Sequence, residues 1–189
     1  MPGQYEGQHA FVFLGGGDDI SSIAADLRGA GDLDRDVGPV YFISPCEGAF
    51  EGFAHIAQDD VAGLADYVHG RLWEAGIHHG EIAVEGRWYL NGRPQPQPLG
   101  PTRGIYAYIA LCRVFTNLPP VQVMGAIAER FGNDLPFVGA STVLGRFHLL
   151  VELGGDERQA LDGQAAALGD VPGVERIEVG FVVPGAAPS

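Results

Sequence analysis

Lysine is missing from this chain of 189 residues, so its eleven basic residues are all Arg, against 24 Asp and Glu. The absence of Lys excludes a Schiff-base enzyme and the usual phosphate-binding loop, both of which need its amine. The formal net charge of −13 at pH 7 leaves no surface suited to neutralising nucleic-acid phosphates. We therefore expect no nucleic-acid partner.

Cysteine and long apolar runs are also scarce. Cys46 and Cys112 are too few for a disulfide framework and show no metal-binding spacing, so we expect two buried thiols. No run of about 18 apolar residues and no secretory signal pattern is present. These absences predict a cytoplasmic protein with no membrane partner, no cofactor and no metal.

What the chain does contain is an internal repeat at a fixed offset of 97 residues. The aligned pairs are Pro39 with Pro136, Gly48 with Gly145, Phe50 with Phe147, Leu64 with Leu161, Gly76 with Gly173, and Ile77 with Val174. No gap separates the first pair from the last. Two copies of one ancestral unit explain this pattern.

Within each half, apolar periods and turn residues predict the order strand, helix, strand, strand, helix, strand. The first half has these elements at residues 10–14, 19–28, 40–44, 50–57, 61–74 and 81–85. The second half has them at residues 105–111, 121–131, 137–143, 147–153, 157–168 and 176–183. Tyr67 and Trp73 fall on an apolar helix stripe and are expected in the core.

This order predicts an α+β fold of two fused ferredoxin-like βαββαβ repeats, with antiparallel sheets packed as a pseudo-dimeric α+β barrel. The repeats span residues 1–86 and 105–183. Residues 87–104 form a Pro-rich connector, in which Asn91 and Gly92 signal a tight turn. Residues 184–189 are expected to be a disordered tail.

Two repeated motifs resemble the effector-binding domain of the Lrp/AsnC regulators, within the dimeric α+β barrel group. One is the glycine turn into the third strand, Gly48-Ala49-Phe50-Glu51 and Gly145-Arg146-Phe147-His148. The other is the step Val171-Pro172-Gly173-Val174, which is similar to that family's PGV turn, with Glu74-Ala75-Gly76-Ile77 in the first half. The resemblance implies a small-molecule effector. It does not imply DNA binding, because only nine residues precede the first strand and no helix-turn-helix fits there.

Strand alternation predicts which residues face a ligand cavity on the helix-free side of the sheets. We expect the helices to cover Phe147, Leu149 and Val151. The residues that alternate with them then lie on the other face of the sheet. The polar and apolar residues expected there are Glu51, Phe53 and His55 in the first half, and His148, Leu150 and Glu152 in the second. The first strands are expected to add Phe11, Phe13, Tyr106 and Tyr108, and Arg113 is a candidate for a ligand carboxylate or phenolate.

The predicted chemistry is proton transfer, because a His beside a carboxylate in an apolar chamber titrates near neutral pH. His148 or His55 would act as base or acid, with Glu152 or Glu51 orienting it. The alternatives are that these groups face solvent, form a buried pair that only fixes an interface, or converge on a divalent metal. We expect a monomer or homodimer that is a cofactor-independent oxygenase, cyclase or isomerase. An amino-acid-sensing protein is the second reading.

Overall fold

The computed structural model describes residues 7–15, 19–33, 38–77, 80–90, 93–94, 106–131 and 137–182. The chain divides into two units: unit 1 runs up to Val84 and also includes the residues from Val182 onward, and unit 2 runs from Glu85 to Phe181. Each unit combines a β-sheet with two helices. Within the described residues, no helix has both the length and the apolar character needed to cross a membrane.

Unit 1 has the strand order of a ferredoxin-like sheet. Its strands are β1 (Gln8–Leu14), β2 (Val40–Gly48), β3 (Gly52–Gln58) and the first part of β4 (Gly80–Leu90). The described pairings among these four strands are antiparallel: β1 lies between β3 and β4, and β2 lies on the far side of β3. The sheet order is therefore β4, β1, β3, β2.

Aspartate caps set the start of both helices in unit 1. In α1 (Ile20–Gly29), the Asp19 carboxylate accepts a hydrogen bond from the Ser22 N–H at 3.1 Å. In α2 (Val61–Tyr67), Asp60 accepts one from the Gly63 N–H at 2.8 Å. Each cap satisfies one of the backbone donors that a helix start leaves unpaired.

Both helices cover one face of the sheet and form with it the helix-side core of unit 1. Its buried members are Ala10, Val12, Leu14, Ile20, Ile23, Leu27, Val40, Ile43, Ala54, Ile56, Leu64, Leu72 and Ile77. Only alternate residues of β1 and β3 belong to this core, as the two-residue period of a strand requires. Their neighbours therefore lie on the helix-free face.

The expectation that Trp73 is buried is wrong, since the side chain is 54% exposed. After α2 the helix continues as a π-helical turn, Val68–Leu72. A π-helical turn takes more residues than an α-helical one, which shifts the residues that follow it around the helix axis. Leu72 takes the core position, whereas Tyr67, which precedes the turn, packs against the core as expected.

Unit 2 repeats the architecture. Its elements are β5 (Arg93–Pro94), β6 (Tyr106–Val114), α3 (Pro120–Phe131), β7 (Phe137–Leu144), β8 (Leu149–Gly155), α4 (Arg158–Leu168) and β9 (Val174–Val182). The order of its main strands is β9, β6, β8, β7. Its helix-side core includes Cys112, Val114, Val123, Met124, Ile127, Leu149, Val151, Leu153, Leu161, Ala165 and Leu168.

Part of the predicted connector is regular structure. Strand β4 continues to Leu90, and Tyr89 and Leu90 pair with Pro94 and Arg93 as a short antiparallel hairpin. The turn residues Asn91 and Gly92, the rest of the connector and the predicted tail 184–189 lie outside the described residues.

The register of the second and third strands of each unit keeps the 97-residue offset of the repeat. In unit 1, Phe42 pairs with His55 and Ser44 with Phe53. In unit 2, Gly139 pairs with Glu152 and Ser141 with Leu150, each 97 residues later. The fold class is thus as predicted: α+β, with two fused ferredoxin-like βαββαβ repeats built on antiparallel sheets.

Candidate functional site

The helix-free face of the unit 1 sheet is lined with buried aromatic rings. Phe11 and Phe53 are fully buried, and Phe13 is 4% exposed. They lie on this face because Ala10, Val12, Leu14, Ala54 and Ile56 face the helices. We call this surface the aromatic face, which consists of His9, Phe11, Phe13, Tyr41, Phe42, Phe50, Phe53 and His55.

The rings of the aromatic face contact one another directly. The Phe11 and Phe53 rings stack with centroids 5.9 Å apart, and those of Phe13 and Phe53 lie 5.4 Å apart. Phe50 meets Phe13 edge to face at 4.9 Å. These separations lie in the range in which aromatic pairs add to the stabilisation from burial. The face is therefore apolar and shaped by flat groups.

Two imidazoles are hydrogen-bonded within this apolar setting. Nδ1 of His9 lies 3.0 Å from Nε2 of His55, and both side chains are buried. One nitrogen must donate the shared proton and the other must accept it, so the pair cannot be doubly protonated while this bond exists. The His55 ring also contacts two aromatic rings in a tilted arrangement. Its centroid lies 4.8 Å from that of Phe11 and 5.3 Å from that of Tyr41.

Burial lowers the pKa of His9, because the apolar surroundings disfavour the imidazolium form. The neutral ring is the form that can accept a proton at neutral pH. The pair therefore combines a base with a neighbour that can take up or supply the same proton.

Sequence reasoning paired His55 with Glu51, and the structure does not bring them together. Four residues along a strand span about 13 Å, at about 3.3 Å per residue. Glu51 is exposed and precedes β3, where its N–H donates to the Leu14 carbonyl at 2.8 Å. Within the described residues, His55 is hydrogen-bonded to His9, which the sequence analysis does not single out.

In unit 2, the helix-free face holds the predicted Leu150 and Glu152, both fully buried or nearly so. They lie there because Leu149, Val151 and Leu153 face the helices. Glu152 is flanked in register by Ile109 of β6 and Gly139 of β7. A buried carboxyl group thus takes the position that His55 takes in unit 1.

His148 is half-buried and anchors a turn. Its ring Nδ1 accepts a hydrogen bond from the backbone N–H of Val114 at 3.0 Å, and the backbone N–H of His148 donates to the Cys112 carbonyl at 3.0 Å. While Nδ1 accepts a hydrogen bond, any ring proton must be on Nε2. His148 and Glu152, like Glu51 and His55, are four residues apart along the chain. In a strand this separation is about 13 Å, too far for the predicted pairing.

The other predicted ligand-contacting residues are placed as follows. Arg113 is 47% exposed and forms an ion pair with Glu175 at 3.3 Å, on the surface of unit 2. The backbone register pairs Tyr108 with Leu153, which belongs to the helix-side core. The structure describes the backbone of Tyr106 and Tyr108 but not their side chains, so the place of these two rings in the cavity stays a prediction.

No group of three or more His, Cys, Asp and Glu side chains in the described ranges has a geometry that could hold a metal ion. Burial raises the pKa of both thiols, Cys46 and Cys112, to about 12. At neutral pH these groups are protonated, so neither is the thiolate that nucleophilic or metal-binding chemistry needs. The chemistry of the described faces is therefore that of the imidazole pair and the carboxyl group.

The two units define the class of the fold, which is ferredoxin-like α+β. No family model matches the chain, and no curated protein matches it. Solved structures with the same fold do match. The siroheme decarboxylase NirDL is similar with a TM-score of 0.66 and 8% identity, over 93% of this chain and 71% of that one.

Two further structures match over nearly the full length of both chains. An anthrone oxidase-like protein has a TM-score of 0.58 at 12% identity, covering 96% of this chain and 92% of that one. A putative monooxygenase from Fusobacterium nucleatum has a TM-score of 0.52 at 10% identity, with coverages of 98% and 95%. At such identities the likeness establishes the fold and leaves the chemistry to the residues of this chain.

Proposed function

We propose that this protein is a cofactor-independent enzyme of the oxygenase, cyclase or isomerase type that acts on a small aromatic metabolite. The observation that carries the proposal is the imidazole pair of His9 and His55, buried among aromatic rings with its nitrogens 3.0 Å apart. Flat rings suit a flat ligand, and a buried neutral imidazole suits proton transfer.

All three reaction types begin with the same step, the removal of a proton from an acidified C–H or O–H group. One imidazole takes that proton on the ring nitrogen that is not in the shared hydrogen bond. The other can release the shared proton or return one later, because a hydrogen bond already joins the two rings. In an oxygenase the resulting carbanion or phenolate is oxidised by dioxygen, which is the co-reactant.

Two fold neighbours carry names that fit this proposal, anthrone oxidase-like protein and putative monooxygenase. Anthrone itself is a suitable first substrate, because it is flat and aromatic and carries an acidic CH₂ group opposite a carbonyl. Its oxidation by one O₂ gives anthraquinone and one water, so atoms and electrons balance without a cofactor.

The test is turnover of anthrone under air, followed by anthraquinone absorbance and oxygen uptake. We expect His55→Gln and His9→Gln to lower kcat by about a hundredfold or more, the range for losing a general base. His69→Gln, on the exposed surface of the π-helical turn, is the matched control and should keep wild-type turnover. Wild-type kcat in both His9 and His55 variants would refute the role of the pair.

A second candidate function, a stand-alone effector-binding protein of the Lrp/AsnC ligand-domain type, is favoured by the backbone at the motifs of the resemblance. Gly48 and Gly145 have φ of +123° and +158°, and Gly76 and Gly173 have +106° and +98°. Glycine adopts these values without strain, so both turns recur in both units. Thermal stabilisation by one amino acid, with no turnover of any aromatic compound, would favour this function over the enzyme.

A further inference from the structure

In the part of the chain that the structure describes, the helix-free face of each unit holds a buried serine whose hydroxyl has no hydrogen-bond partner. Ser44 on β2 and Ser141 on β7 are both fully buried. Among the described residues, nothing accepts from or donates to the Oγ of either one. The two serines are 97 residues apart, so the repeat has kept the same orphaned hydroxyl twice.

Each serine stands in the same relation to a titratable side chain. Ser44 pairs in register with Phe53, two residues from His55 on the same face of β3. Ser141 pairs with Leu150, two residues from Glu152 on the same face of β8. Such diagonal neighbours in an antiparallel sheet lie about 7–8 Å apart, close enough for one small ligand to touch both.

An orphaned buried hydroxyl destabilises the folded state, since it has lost its water partners and gained none. Alanine or glycine in the same place would avoid that cost. Buried polar atoms without a protein partner are therefore candidates for groups that are completed by a ligand.

We infer that Ser44 and Ser141 are ligand-binding residues, each of which donates its hydroxyl proton to a carbonyl or phenolic oxygen of an aromatic ligand. The inference rests on the proposed function for the aromatic nature of the ligand. The repeated serine binds oxygen in both units, and the neighbouring group differs, an imidazole in unit 1 and a carboxyl in unit 2. The two units thus offer like binding groups beside unlike acid-base groups.

The experiment compares two probes of the same shape, 2-naphthol and naphthalene, by titration calorimetry at pH 7. We expect the wild type to bind 2-naphthol more tightly than naphthalene. Ser44→Ala and Ser141→Ala should each reduce this preference about five- to tenfold, the usual effect of one hydrogen bond, and leave naphthalene affinity unchanged. Ser21→Ala, on the exposed side of α1, is the matched control.

The melting temperature of each unliganded variant supplies an independent test. Removing an orphaned hydroxyl should leave it unchanged or raise it, whereas a fall would show that the hydroxyl has a structural partner and would overturn the inference. An unchanged naphthol preference in both variants, or no binding of either probe, would overturn it as well. A loss of preference in one variant alone would support a binding serine in that unit and reject the repetition.

The outcome is separable from the proposed function, because turnover depends on His9 and His55, and the naphthol preference depends on the serines.

Discussion

At the scale of single residues, the burial of the His9 imidazole links the stability of the fold to pH. Because burial lowers the pKa of His9, the unfolded chain takes up its proton at a higher pH than the folded protein does. As pH falls below about 6.5, the unfolded state is therefore favoured. The stability contributed by neutral His9 is present above this pH and is lost as pH falls toward the lowered pKa.

We therefore predict that the free energy of unfolding decreases between pH 7 and pH 5 more steeply in the wild type than in His9→Gln. The measurement is urea unfolding at several pH values, with His69→Gln as the exposed control that should keep the wild-type slope. Equal slopes in the wild type and His9→Gln would contradict the assignment of the titration to His9.

His9 is absent from the predicted site because the predicted first strand starts one residue after it. The predicted first strand begins at residue 10, whereas β1 begins at Gln8. Extended by two residues, the alternation that placed Phe11 and Phe13 on the helix-free face reaches His9 as well. The predicted pairing of Glu51 with His55 is lost for a different reason. The alternation of a strand assigns residues to a face, but it does not say how far apart two residues on that face lie.

At the scale of secondary-structure elements, most of the fold follows from periodicity, and the exception is β6. Leu14 of β1 pairs with Gly52, and Cys112 of β6 pairs with Leu149. The first strands are thus related by 98 residues, one more than the rest of the repeat. The aligned pairs of the repeat begin at Pro39, after the first helix, so they do not include this extra residue. An odd shift exchanges the two faces of a strand relative to the rest of the repeat, so the 97-residue offset does not give the register of β6.

Two glycines of unit 2 should respond in opposite directions to the same substitution. Gly173 has a φ of +98°, and a Cβ there would lie 2.6 Å from Cγ2 of Val123 and 2.9 Å from Cδ1 of Leu118. Both backbone strain and overpacking oppose alanine, so we predict that Gly173→Ala destabilises the protein by about 2–4 kcal/mol.

Gly125 is the matched control within α3, where a Cβ would meet nothing within 4 Å. Alanine has the higher helix propensity, so Gly125→Ala should stabilise the protein by about 0.5–1 kcal/mol. Chemical denaturation of both variants measures the two effects. A neutral Gly173→Ala would mean that the turn before β9 does not require glycine.

At the scale of the whole molecule, the repeat conserves architecture and varies chemistry. His55 and Glu152 occupy the same position in the two units, as do Ser44 and Ser141. The sequence could predict the fold class, because the order of elements occurs twice and each copy supports the other. It could not predict the imidazole pair, because that contact joins two strands whose register no local pattern specifies.

Net charge is the other property of the whole molecule that the sequence determines. With −13 charges, the folded chain repels itself more than the expanded chain does. Raising NaCl from about 0.01 M to 0.1 M shortens the screening length from about 30 Å to about 10 Å. Surface ion pairs such as that of Arg113 and Glu175 weaken as well, but an exposed pair contributes only about 0–1 kcal/mol.

We therefore predict that the melting temperature at pH 8 rises by a few degrees over this range of salt, because the repulsion that is screened exceeds the attraction that is lost. Circular dichroism melts in NaCl and in KCl measure the effect, and agreement between the two salts separates screening from specific cation binding. A fall in both salts would mean that the ion pairs stabilise the fold more than the net charge destabilises it. A rise in one salt alone would instead indicate specific binding of that cation.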